Sequence, residues 1–237
     1  MTDTAPALEI NTRPRFERRL VGNEGNVVFI ADDVLVNPEV LLESAVHSPF
    51  GAPPSNSRYP GKVAPLPDAY IKLLQTELRH PMVHLYGMNT LFNTPVYGFF
   101  GLATVPAAEF APVQTAPHTD AVRLNSFACV HYLSHGAFGG TAFYRHKATG
   151  FELISPIRSD KYARMRREEL AQVEGQGAQA IESQYEEIDY VEPKFNRLVF
   201  YRAGQLHRSK LDSNAVLTDD PRTGRLTANL FFNTEGL

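Results

Sequence analysis

Sulfur is nearly absent from this chain. Cys129 is the only cysteine among 237 residues. One thiol can make neither an internal disulfide nor a thiolate zinc site, and it suits a reducing, cytoplasmic compartment. Its neighbours are apolar, so it is expected as a small core side chain rather than a nucleophile. Tryptophan is missing too, but 15 Phe and 10 Tyr are present, a composition that favours β-structure. Charge of one sign is also lacking. The formal net charge is −3 and no long run of like charges occurs, so neither nucleic acid nor an acidic membrane surface is expected as a partner. No apolar stretch approaches a membrane span, and residues 1–19 are polar and contain proline. Neither a transmembrane helix nor a secretory signal is therefore expected. With 43% hydrophobic residues, the chain suffices for one sizeable core and does not demand two, so 1–237 reads as a single domain.

Residues 1–20 read as a loosely attached arm. "NVVFIADDVL" (26–35) reads as a strand running into a turn. "NPEVLLESAVHS" (37–48) has Asn37 to cap a helix, Pro38 at its first position, and Val40, Leu41, Ser44 and Ala45 on one face. Residues 49–67 are proline-rich and aperiodic, which marks a long loop of the kind that often carries function. "DAYIKLLQTELRH" (68–80) is a second amphipathic helix, capped by Asp68 and stopped by Pro81. Residues 21–94 thus supply a strand and supporting helices. From residue 95 the texture changes. "VYGFFGLATV", "RLNSFACVHYL", "GTAFYRH", "RLVFYRAG" and "RLTANLFFN" are short, rich in β-branched and aromatic residues, and separated by Gly and Pro. They predict antiparallel strands that close on themselves. A helical insertion over 159–187 interrupts them, with a break at Gly175 and Gly177 and a charged face suited to a solvated lid or a partner surface. The expected class is α+β, mostly β.

"PHTD" (117–120) holds a histidine and an aspartate two apart. Alone the motif is weak, because eight histidines make a chance pairing common. Its geometry is suggestive. On a strand, residues i and i+2 share a face, so His118 and Asp120 would converge on one point. A third ligand from far along the chain would complete two histidines and a carboxylate, the facial set that suits non-haem Fe(II). The candidates are His131, His135, His146 and His207. His131 and His135 stand four apart, but the segment reads as strand and lacks the glutamate of a zinc protease. His146 has charged neighbours and reads as solvated. His207 follows an aromatic strand that ends at Gly204, which would place it at the mouth of a barrel. On the last strand Arg225, Thr227, Asn229, Phe231 and Asn233 share one face, while Leu226, Ala228, Leu230 and Phe232 share the other. If the first set looks into a cavity, Arg225 needs an anion, because an unpaired buried charge costs roughly several kcal/mol. A carboxylate fits its planar fork.

Taken in order, "PHTD", "VHYLSHGAFGGTAFY" (130–144), "RLVFYRAGQLHRS" (197–209) and "GRLTANLFFN" (224–233) resemble the Fe(II)/2-oxoglutarate-dependent oxygenases, in particular the prolyl 4-hydroxylase-like branch. The Gln114 to Asp120 stretch is similar to one found in a bacterial group within it. The resemblance covers roughly residues 95–233. It implies a double-stranded β-helix, or jelly roll, with N-terminal supporting helices and a helical insertion. It also implies Fe(II) held by His118, Asp120 and His207, which are then the catalytic set. The cosubstrate 2-oxoglutarate would pair its far carboxylate with Arg225, helped by Thr227 or Tyr132. His207 and Arg225 stand further apart than in that branch, so Arg208 and Lys210 are rival anchors. Candidate substrate contacts are Arg58, Tyr59, Arg123, Asn125 and Arg145, with Tyr97 and Tyr201 as further lining residues. The implied activity is hydroxylation of a small polar molecule, amino acid or peptide, with a homodimer as a compatible assembly. The competing expectations are a non-catalytic cupin or jelly-roll protein that binds metal or ligand, a hydrolytic metalloenzyme that would use His131 or His146, and an interaction protein working through residues 159–187.

Overall fold

The computed structural model describes residues 7–55, 57–78, 86 and 96–234. In chain order the elements are β1 (Arg15–Val21), β2 (Asn26–Asp32), α1 (Pro38–Val46), β3 (Gly61–Pro65), α2 (Asp68–Glu77), β4 (Tyr97–Ala103), a 3-10 turn (Ala107–Glu109), α3 (Pro112–Thr115), β5 (Ser126–Tyr132) and β6 (Thr141–His146). After them come α4 (Pro156–Gln172), α5 (Ala178–Glu182), β7 (Tyr185–Val191), β8 (Arg197–Arg202), β9 (His207–Ser209) and β10 (Arg225–Asn233). All strand pairs are antiparallel. Seven strands form one sheet in the order β1-β2-β8-β5-β10-β4-β3, and three form a second in the order β7-β6-β9. The fold is α+β, mostly β: a jelly roll with helices before it and a helical insertion between β6 and β7.

The central strands of the large sheet are buried on both faces. Along β5, β8 and β10 side chains alternate. Phe127, Cys129, Leu198, Phe200, Leu226, Ala228, Leu230 and Phe232 point to a core shared with Leu41 and Ala45 of α1 and Tyr70 and Leu74 of α2. Each helix contributes its residues at i and i+4, the one stripe a short amphipathic helix can bury. Ala128, Tyr132, Val199 and Tyr201 point the other way and meet Phe143 and Val191 of the small sheet. The outer face of that sheet is covered in turn. Ala142 and Tyr144 pack with Tyr162 of α4 and Ile181 of α5.

Several sequence expectations change here. Residues 15–21, expected within the arm, form β1 and pair along their whole length with β2; residues 1–6 of that arm lie outside the described residues. Asn37 does not cap α1 through its side chain. Its amide accepts from Glu9 N (2.9 Å) and donates to Ala7 O (2.8 Å), pinning the N-terminal segment instead. Asp68 is the first residue of α2 rather than its cap, which is Pro67; the end expected at His80 and Pro81 lies outside the described residues. The 49–67 loop contains β3, paired with β4. The insertion expected over 159–187 gives way to strand at Tyr185, while its break falls at Gly175 and Gly177, both at positive φ. Cys129 is buried in the main core.

Gly139 and Gly140 sit where the chain enters β6, and both exclude a side chain. A Cβ at Gly139 would overlap the Lys210 carbonyl, one at Gly140 the Val191 carbonyl, and Gly139 has φ +86°. Only glycine tolerates that approach at that dihedral.

Asp32 ends β2 and ties it to the turn before β8. It accepts from Arg197 Nε (2.6 Å) and Lys194 Nζ (3.0 Å). The Arg197 hydrogen bond leads, and it holds the carboxyl at about 2 despite the opposing effect of burial. A depressed carboxylate pKa stabilises the fold above the unfolded value and loses that stabilisation as pH falls through the folded one. Asp32→Asn is therefore expected to cost about 2 kcal/mol at neutral pH. The gap to the parent should close as pH falls from about 4 towards about 2, read by urea unfolding across that range. A gap independent of pH would mean that Asp32 acts through packing rather than charge.

Candidate metal centre

His118 and His207 face each other across an isolated antiparallel bridge, with His118 N to His207 O at 2.9 Å and His207 N to His118 O at 3.0 Å. The 117–120 segment is not a regular strand. The bridge at His118 and the bond from Asp120 N to Ala203 O (2.9 Å) hold it. That placement still turns both side chains the same way. One ligand atom from each of His118, Asp120 and His207 lies within 4.8 Å of the others. The two imidazole centroids are 4.5 Å apart. Asp120 Oδ2 is 3.3 Å from His207 Nε2, and Asp120 Oδ1 is 3.7 Å from His118 Nε2. His207 Nδ1 donates to the Gln205 carbonyl at 2.8 Å. That bond keeps Nδ1 as the donor and turns Nε2, the nitrogen a metal would take, towards Asp120.

The electrostatics suit metal ligation. Burial foremost, with His207 adding to it, lowers His118 to about 3, so its imidazole is neutral at neutral pH. Burial also pushes His207 down, but the charge and hydrogen bond of Asp120 outweigh it and raise the imidazole. Asp120 is the mirror image: burial pushes it up, and His207 pulls it below its ordinary value. Two imidazole nitrogens, that of His207 once its proton is displaced, and one carboxylate on one side of a point are the donor set of a divalent metal with open positions opposite.

All three residues line one cavity of about 1010 Å³ together with Arg225, Thr227 and Asn229 of β10. Arg225 is 3% exposed. Its Nε donates to Gly139 O (3.1 Å), and its guanidinium lies 5.9 Å from the Tyr132 ring centroid. The hydroxyls of Tyr59 and Ser209, two further lining residues, are buried without a hydrogen-bond partner. The Tyr59 phenol lies beside Arg225 and Thr227; burial raises it while Arg225 pulls it down. Buried polar groups in native proteins are almost always satisfied. A phenol turned towards a buried guanidinium that has no carboxylate partner among the described residues makes, with the Ser209 hydroxyl in the same cavity, a fitting cradle for a ligand's carboxylate.

The other sequence candidates divide. Arg58, Tyr59, Tyr97 and Tyr201 line the cavity. Arg123 and Asn125 do not; Arg123 is exposed, and Asn125 donates to the Thr234 carbonyl. Arg145 is towards the far end of β6, paired to the buried Glu152 and to Glu186. Tyr132 donates to or accepts from Thr141 Oγ1 at 2.6 Å behind the cavity wall. Arg208 is taken up by Glu182 and the Thr115 carbonyl, and Lys210 by Glu187. Neither lines the cavity that holds Asp120. His131 is buried under α2 between Tyr70 and Asn196, and His135 stacks on Phe195. His146, expected in solvent, is fully buried. Its Nε2 is 2.6 Å from Glu169 of α4 and its ring packs on Tyr162 and Tyr185.

One part of the wall comes from the helical insertion, whose charged face suited a solvated lid or a partner surface. Ser159, Tyr162, Ala163, Arg166 and Leu170 of α4 line the cavity beside the triad. Arg166 Nη1 donates to Pro117 O at 3.0 Å, docking the helix on the segment that carries His118. The charged pattern of α4 does not name the residues that turn to the cavity, because only Tyr162 is buried on the helix and Arg166 docks through a backbone carbonyl.

Among solved structures the chain is similar to the non-heme alpha ketoglutarate dependent epimerase SnoN from nogalamycin biosynthesis. The identity is 13% over 87% of this chain and 77% of that one, with a TM-score of 0.45. It is also similar to HygX from Streptomyces hygroscopicus with nickel and 2-oxoglutarate bound, at 11% identity, 90% and 84% coverage and a TM-score of 0.45. A third is an N-substituted L-amino acid dioxygenase from Burkholderia ambifaria AMMD in complex with alpha-KG, at 11%, 88% and 83%, and 0.39. No curated protein matches the chain. Among the described residues no helix is long and apolar enough to cross a membrane. A family model covers nearly the whole chain, matching residues 12–232, and by that match the chain belongs to the family described as Family of unknown function (DUF6445).

Proposed function

We propose that the chain is an Fe(II)- and 2-oxoglutarate-dependent dioxygenase of the prolyl 4-hydroxylase-like branch that hydroxylates a small polar molecule, an amino acid or a peptide. The observation that carries this reading is that His118, Asp120 and His207 converge in the same cavity as the buried Arg225. His118, Asp120 and His207 hold the metal, and with 2-oxoglutarate bound the iron supplies oxidative chemistry coupled to decarboxylation of the cosubstrate. Arg225 pairs with the far carboxylate of the cosubstrate, and Tyr59, Thr227 and Ser209 offer it hydroxyls. Gln205 keeps His207 in the tautomer whose Nε2 is free. Helix α4 narrows access of water to the triad. The order of the motifs, from His-x-Asp through Gly-Gly-Thr to His and Arg, supports the branch.

Anaerobic addition of 2-oxoglutarate to the Fe(II)-loaded chain is expected to produce a visible charge-transfer band. Admission of oxygen is then expected to yield succinate above the iron-free control, even without the natural substrate. A band without succinate would favour the non-catalytic binding protein, and no band at all would overturn both the cosubstrate and its anchor.

A further inference from the structure

The cavity holds a second concentration of positive charge apart from Arg225. Arg58, from the segment before β3, and Arg166, from α4, both line it. Burial, and next the charge of Arg166, lowers the Arg58 guanidinium; both arginines add to the burial that lowers His118. Arg166 Nη1 reaches the Pro117 carbonyl beside His118, and Gln114 Nε2 donates to the Arg58 carbonyl at 3.4 Å, so the two arginines, Arg58 exposed at the rim, come from segments that meet next to the triad. Like charges so placed repel unless an anion joins them. None does. The ionisable groups acting on Arg58 are Arg166 and the phenols of Tyr162 and Tyr185. Among the described residues Arg166 donates to the Pro117 carbonyl and the Tyr162 hydroxyl and to no carboxylate. Among the described lining residues Asp120 is the sole carboxylate, against Arg58, Arg166, Arg167 and Arg225. With a divalent metal and a dianionic cosubstrate in place, the cavity would still hold more positive than negative charge. The same cavity has an aromatic wall. The rings of Tyr97, Phe99 and Phe231 lie 6.0–6.1 Å apart, and Tyr97 is 58% exposed.

We propose that Arg58 and Arg166 form an oxyanion subsite, so that the molecule bound beside the triad carries a carboxylate or a phosphate monoester on an apolar, aromatic-compatible body. Paired guanidiniums suit either group, because both present coplanar or clustered oxygens to N–H donors. Calling that molecule the substrate rests on the dioxygenase reading; the subsite itself does not.

The test is calorimetric titration of the chain loaded with Ni(II) and 2-oxoglutarate. The probes are 3-phenylpropanoate, phenyl phosphate and the neutral methyl 3-phenylpropanoate. At least one acid is expected to bind tenfold or more tightly than the ester, and the better acid tells carboxylate from phosphate. Arg58→Gln and Arg166→Gln are each expected to weaken that acid at least tenfold while 2-oxoglutarate affinity stays within twofold. Should Arg166→Gln fail to fold for want of the Pro117 contact, Arg58→Gln decides alone, since its exposed side chain makes no hydrogen bond among the described residues. Equal binding of acid and ester, no binding of either acid, or an unaffected Arg58→Gln variant would overturn the subsite. Failure of the dioxygenase reading would appear separately, as absence of metal-dependent 2-oxoglutarate binding by the parent chain. The same acids titrated into the metal-free protein would then report on the arginine pair by itself.

Discussion

Asp120→Ala is expected to weaken binding of Fe(II) or Ni(II) at least about 100-fold, beyond the range for loss of groups that merely support ligands. Asp120 brings the only negative charge of the triad and stands within 3.7 Å of both histidine Nε2 atoms. Without it two imidazoles 4.5 Å apart remain, and neither compensates a divalent charge. The pH dependence has a definite sign. In the metal-free chain Asp120 raises His207 against the lowering effect of burial. Metal competes with that proton, so affinity in the parent should increase with pH until His207 has lost it. In Asp120→Ala the larger raising causes are gone, and only the hydrogen bond to the Gln205 carbonyl opposes the burial that lowers His207. The weaker residual affinity should therefore be flatter with pH near neutrality. Metal retained after desalting, and titration at several pH values, would measure both effects. His131→Ala and His146→Ala are the contrasts. Each removes a buried structural hydrogen bond, so each should lower stability while folded protein keeps its metal. Equal metal retention by Asp120→Ala and the parent would remove the triad.

Arg225→Met should weaken 2-oxoglutarate binding to the metal-loaded chain by roughly 100-fold, the size of a lost charge-assisted bidentate pair at about 2–3 kcal/mol. Metal affinity should stay within about twofold, because Arg225 is no ligand. A second readout separates function from folding. A buried cation without a carboxylate partner is costly to hold, and apolar replacement of such charges is often neutral or stabilising. The metal-free Arg225→Met protein should thus melt at or above the parent temperature while losing its cosubstrate. Arg225→Lys keeps the charge but not the planar fork, and should lie between, about tenfold weaker than the parent. Arg208→Gln, whose side chain is already taken up by Glu182 and the Thr115 carbonyl, should leave 2-oxoglutarate affinity unchanged. If Arg208→Gln and Arg225→Met exchanged these outcomes, the anchor would be the other arginine.

The strands that β-branched and aromatic content revealed in the sequence include those buried on both sides. In β5, β8 and β10 every second residue enters the helix-covered core and the rest face the small sheet or the cavity. The strands that escaped notice are held by pairing more than by pattern. β1 and β3 are the edges of the large sheet and β7 and β9 those of the small one; β7 reads YEEIDYV, a polar string. Backbone hydrogen bonds to a neighbour stabilise such strands without requiring an apolar period. The same distinction runs through the polar residues. His146 and Arg145 are adjacent, both flanked by charge, yet one is buried against Glu169 and the other spans Glu152 and Glu186. No local rule separates them, because the partners come from helix and strand segments that meet only on folding.

What the sequence determined by itself was the list of chemically able residues and the faces of the long strands, since both follow from residue type and a period of two. His118, Asp120, His207 and Arg225 could be named on that ground. Their meeting in one cavity, the displacement of Tyr132, Arg123, Asn125 and Arg145 from it, and the entry of Tyr59, Ser209 and α4 into its wall were decided by tertiary structure. Side chains scattered along a chain become neighbours only through sheet register and helix docking, and those depend on contacts between segments that no local window contains.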